Sequence, residues 1–113
     1  IGGKHMPVSN EFLEYIVDQL SGWGQVSVRR MFGGAGLYCE GKMFGLVADD
    51  VAYLKVDDSN RKQFEEAGSS PFQPFEDKKM TMGYYEIPVD VLEDREQLGV
   101  WAERSLKIAR KKK

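Results

Sequence analysis

The densest run of residues able to do chemistry is Arg29-Arg30-Met31-Phe32-Gly33-Gly34-Ala35-Gly36. Two adjacent guanidiniums can bind an anion or pair with carboxylates. A glycine cluster lets backbone N–H groups approach a phosphate, because no side chain stands in the way. Phosphate-cradling loops lead into a helix and carry a lysine-hydroxyl pair, however, and this cluster runs from one predicted strand into another. The alternative use of these glycines is a bulge or tight bend that needs a positive φ or a bare surface. Arg29 and Arg30 are consecutive in a predicted strand, so they must face opposite sides. One is expected in solvent, and the other along the sheet under a helix, where it needs a carboxylate partner. Arg29, Arg30, Met31, Phe32, Gly33, Gly34 and Gly36 together form a candidate corner for binding a partner, an anion or a small ligand.

The basic C-terminus is the second feature. Six of the sixteen basic residues fall within 104–113, which hold no acid, so the rest of the chain sets ten bases against eighteen acids. Arg110, Lys111, Lys112 and Lys113 are candidate contacts for nucleic-acid phosphates. Cations also stabilise a helix C-terminus, which is the plainer use of such a run. The acidic body argues against a broad nucleic-acid footprint.

Other reactive side chains point away from catalysis. Cys39 is the single cysteine and His5 the single histidine. A lone thiol excludes an internal disulfide framework. It also lacks an imidazole partner, because Ile1–His5 precede Met6 and read as an expression-derived remnant. The pairs Asp49-Asp50, Asp57-Asp58 and Glu65-Glu66 fit turns and caps better than a metal site, since no ligand spacing links them. No catalytic residue, metal or cofactor is assigned, and the chain is expected not to be an enzyme.

The elements that must position these residues follow from periodicity. Phe12, Leu13, Ile16, Val17 and Leu20 recur on one helical face, which predicts a helix over 9–22 capped by Ser9 or Asn10. Residues 25–56 alternate and predict three strands, with Gly41-Lys42 as a turn or bulge within the second and Asp49-Asp50 before the third. A helix is expected over 58–67, capped by Asp57 or Asp58 and stopped by Gly68. Phe72–Phe75 reads as an edge strand, because Pro74 removes a ladder donor. Met80–Ile87 reads as a strand ended by Pro88. The final helix starts at Asp94, whose spacing to Gln97 fits a capping box, after a short helical turn over 89–93. The order is α-β-β-β-α-β-β-α, an α+β domain with helices packed on an antiparallel sheet.

With 113 residues, 42% hydrophobic and 30% charged, the chain suits one globular domain. We assign 6–109 to that domain and 110–113 to a basic tail. No apolar run approaches the roughly 18 residues of a membrane helix. One thiol and no visible signal segment give a cytoplasmic expectation. Met and aromatic residues concentrate in the strands, and alternation sends some of them to the face away from the helices, where an apolar patch would bind partners.

The block Arg29-Arg30-Met31-Phe32-Gly33-Gly34-Ala35-Gly36-Leu37-Tyr38 resembles the signature of the TfoX/Sxy family in its N-terminal domain. Gly41-Lys42-Met43-Phe44-Gly45-Leu46-Val47, Tyr53-Leu54-Lys55-Val56-Asp57 and Tyr84-Tyr85-Glu86-Ile87-Pro88 continue the similarity, in order, across 9–106. The resemblance implies an α-β(3)-α-β(2)-α arrangement grouped with secretion-chaperone-like folds. It also implies a role in regulating competence genes, as a coactivator with the cyclic-AMP receptor protein and hence at RNA polymerase. Members carry a second, C-terminal helical domain, and this chain is expected to be a stand-alone copy without it. The expected activity is surface recognition of a protein partner, with homodimerisation through an edge strand as a further expectation.

Overall fold

A computed structural model describes residues 9–31, 34–72 and 83–111. It contains, in order, α1 (Asn10–Leu20), β1 (Ser27–Met31), β2 (Gly34–Cys39), β3 (Lys42–Ala48), β4 (Val51–Lys55), α2 (Arg61–Glu66), β5 (Tyr84–Glu86), α3 (Val89–Leu92) and α4 (Arg95–Lys111). The five strands form one antiparallel sheet in sequence order. The α+β class and the helix-on-sheet packing stand as expected.

The strand count over 25–56 needs correction, from three to four. The second strand, expected to carry a turn or bulge at Gly41-Lys42, is divided in two by a hairpin at Glu40-Gly41, with φ of 57° and 77°. Two consecutive positive φ values match the twist of the flanking strands, so such a turn closes a hairpin directly. The same geometry recurs at Asp49 and Asp50, each with φ of 55°, between β3 and β4. The first turn was hard to see because glutamate is an unusual occupant of its first position. A register shift at Leu37/Tyr38 against β3 supplies a bulge one step beyond the glycine cluster.

Helix boundaries follow the caps. Ser9 Oγ accepts from the Phe12 backbone N–H at 3.1 Å and starts α1. Asp94 caps α4: its Oδ1 accepts from the Gln97 N–H at 3.2 Å, and Gln97 Nε2 donates back to Oδ2 at 3.1 Å. α2 begins at Arg61, later than the acidic pair suggested. Asp57 instead shapes the preceding turn, accepting from the Ser59 N–H at 2.8 Å and from its Oγ at 2.5 Å. The expected strand at 72–75 is described only at its start, where the Phe72 N–H donates to Tyr84 O at 2.9 Å beside a Pro71–Tyr85 bridge. Residues 73–82 lie outside the described set, as do Phe32, Gly33, Lys112, Lys113 and residues 1–8.

All four helices bury residues in one cluster. Ile16 and Leu20 of α1, Phe64 of α2, Val91 of α3, and Leu98, Ala102 and Leu106 of α4 pack with Leu37, Phe44, Val47 and Leu54. Gly45 lets this layer close. A Cβ there would lie 2.7 Å from Tyr53 O and 3.3 Å from a Leu37 methyl. Buried polar groups are tied down as well. Ser105 Oγ and Asn60 Nδ2 both donate to Lys55 O, at 2.7 and 3.2 Å, joining α4 and the α2 turn to the end of β4. Among the described residues no helix is long and apolar enough to cross a membrane.

Candidate functional site

The register sorts every strand residue to a face. Arg29, Gly36, Leu46, Tyr53 and Glu86 stand in one row across the sheet. Ser27, Tyr38 and Met43 share their side, as do the paired Lys55 and Tyr84. Neighbouring positions such as Leu37 and Leu54 face the helices. The sheet therefore has a second face, rich in tyrosine, whose residues lie outside the helix-packed cluster.

Two cations are already seated on rings there. The Arg29 guanidinium carbon lies 5.1 Å from the Tyr38 ring centroid, and Lys55 Nζ lies 5.0 Å from that of Tyr84. Both distances suit attraction between a cation and the negative face of a ring. Tyr53 packs on Phe72, with centroids 4.8 Å apart. Burial, with Tyr38 as the lesser cause, pushes the Tyr84 phenol up to about 12, so it stays a neutral hydrogen-bond donor at physiological pH. Tyr53 is also raised, by burial and by the carboxylates of Glu86 and Asp49.

The two arginines divide as alternation requires. Arg29 is exposed on the tyrosine face. Arg30 projects to the helix side, where its Nη2 donates to Asn10 Oδ1 at 2.6 Å. Both remain exposed, so Arg30 is less enclosed than expected. Gly34 is buried at the start of β2, where a Cβ would meet Val47 O at 2.4 Å. This close approach of two strands is the side-chain-free surface anticipated for the cluster. Gly36 is buried opposite Arg29. Met31 ends β1, paired with Gly34.

At the other candidate region, Arg110 reaches back to the sheet. Its Nε and Nη2 donate to Glu40 Oε1 and Oε2 at 3.0 and 2.9 Å, and its Nη1 lies 3.4 Å from Glu103 Oε2. This bidentate pair fixes the end of α4 over the Glu40-Gly41 hairpin. Lys111 is the last described residue of α4. Cys39 is buried beside this junction. Burial and the neighbouring Glu40 carboxylate raise its thiol above the ordinary value, the reverse of an activated nucleophile.

Sequence reasoning named Arg29 but not its ring partner, and it did not gather Lys55, Tyr53 and Tyr84 onto the same face. The signal was available in the alternation of Val51–Lys55 and of Tyr84–Glu86. It became usable only once the register aligned these strands with β1 and β2.

Comparison with known proteins gives the family. The "DNA transformation protein TfoX1" of Aliivibrio fischeri (strain ATCC 700601 / ES114) is 34% identical over 65 residues, covering 57% of this chain and 31% of that protein. The chain thus spans less than a third of that relative's length. The profile of the TfoX N-terminal domain matches residues 18–109, which run from the end of α1 through the whole sheet to the last turns of α4. Since that match takes in both faces of the sheet and the helix that closes it, the chain belongs to the TfoX N-terminal domain family.

Proposed function

We propose that this chain is a non-enzymatic regulatory domain of the bacterial cytoplasm, acting in competence for DNA transformation by binding a protein partner through the tyrosine face of its sheet. The carrying observation is that face itself. Arg29 on Tyr38, and Lys55 on Tyr84, present charge held over aromatic surface on the side of the sheet that the described helices leave to other uses. Tyr and Arg dominate binding hot spots, because they combine large contact area with directional polar groups. Family membership supports the competence setting, and the resemblance of the Arg29–Tyr38 block supports a coactivator role with the cyclic-AMP receptor protein or RNA polymerase.

The test is direct binding of the purified chain to each of those two proteins. One of them should bind, and Arg29→Ala should weaken it by about tenfold or more. Circular dichroism of the variant should match the parent. Binding to neither protein overturns the coactivator reading. Binding that Arg29→Ala leaves unchanged moves the interface away from Arg29.

A further inference from the structure

On the opposite side of the molecule, a groove of about 670 Å³ runs between the end of α1 and the outer side of α4. Its apolar floor is Trp23, Gly99 and Val100, and its cations are Arg95, Arg104 and Lys107. We propose that this groove docks an acidic segment of a partner protein that carries at least one bulky apolar side chain.

The floor comes first. Val100 is 52% exposed on the outer side of α4. Beside it, Gly99 lies against Trp23, and a Cβ at that position would sit 3.4 Å from Trp23 Cβ. The missing side chain leaves a notch over the indole. The indole is itself held in place, since its Nε1 donates to Glu103 Oε1 at 3.0 Å and its ring meets Phe44 edge-on at 5.2 Å. A rigid aromatic wall beside a notch is the form of pocket that receives an anchor side chain.

Charge selects what that anchor is attached to. α4 carries five bases and two acids, in a chain that is acidic elsewhere. Both acids line the groove, yet Glu103 already accepts from Trp23 and faces Arg110. Glu96 remains exposed and opposes binding of an acidic ligand. Arg95 is shared with Asp18 at 2.6 Å, and Arg104 is tied to Gln63. Lys107 makes no ion pair among the described residues, so its charge is available. An acidic segment is drawn to the cations on this side of the molecule. A nucleic acid would use the cations and leave the Trp23-Gly99-Val100 floor wet. A protein segment with acid and an apolar anchor uses both, and it is therefore the occupant the groove fits.

The test selects binders to the intact chain from a random peptide display library. The selected peptides are then measured against Val100→Glu, Lys107→Glu and Arg29→Ala variants, with a DNA duplex as competitor. Both groove positions are solvent-exposed, so these variants keep the core. Selected peptides should be rich in Asp and Glu around a Leu or aromatic residue. They should lose about tenfold or more in affinity with either groove variant, and nothing with Arg29→Ala. Peptides without acidic enrichment, or binding indifferent to Val100→Glu, overturn the proposal. So does a surface on which DNA binds more tightly than any peptide and responds to Lys107→Glu alone. The Arg29→Ala control separates this outcome from failure of the tyrosine face.

Discussion

Arg29 and Gly34 show how differently two neighbours in one motif can act. Arg29 lies on Tyr38 in solvent, so its replacement should alter recognition more than folding. Gly34 is the reverse. A methyl there would press on the Val47 carbonyl, which belongs to the adjacent strand and cannot swing aside. Gly34→Ala should cost about 1–3 kcal/mol, the usual penalty for overpacking, measurable from urea midpoints. Asp94 gives a third residue-level expectation. Its hydrogen bonds from Gln97 and the Glu96 N–H hold its carboxyl below the ordinary range. A carboxyl lowered on folding stabilises fully above its unfolded value, and that contribution fades as pH falls through the folded value. Asp94→Asn keeps an acceptor for the cap but removes the titration. The variant's stability should vary less between neutral and acid pH than the parent's, as followed by urea unfolding across that range. At this scale the sequence revealed which residue types stood close together in the chain. It did not reveal the contacts. Arg29 and Tyr38 are near each other only because β1 and β2 form a hairpin, and Tyr84 joins them only across three further pairings.

Elements proved more legible, because helix caps and strand alternation are local. The Ser9 and Asp94 caps, the helical turn before α4 and the apolar face of α1 were all readable from spacing. The Glu40-Gly41 hairpin was legible only as a turn or bulge at Gly41-Lys42, because a glutamate gives no local signal for positive φ and its clasp by Arg110 comes from far along the chain. That clamp makes the hairpin and the last turns of α4 one mechanical unit. Arg110→Ala should leave the core intact while raising amide hydrogen exchange at both places together. The effect should shrink as salt rises, since exposed ion pairs are screened. Exchange that rises at α4 but not at the hairpin would show that the two ends move independently.

Viewed whole, the molecule is a sheet with two unlike faces. One face is joined to four helices by Phe44, Phe64, Leu54 and Leu106, all fully buried. The other presents tyrosines and cations. The charge division between acidic body and basic α4 was plain from composition. The α1–α4 groove was not, because it depends on how Trp23, just past one helix, meets Gly99 in another. Cys39 turns this architecture into something measurable. The chain's single sulfhydryl is buried at the wall of a cavity of about 370 Å³ that it lines with Trp23, Gly24 and Leu106, and it reacts only as a thiolate that burial suppresses. A thiol reagent that enters this cavity meets α4 as one of its walls, so the rate of labelling in native buffer becomes a timer for movement of that wall. Arg110→Ala should quicken the timer. A peptide seated in the α1–α4 groove should slow it, giving a bound peptide a kinetic signature at the native thiol.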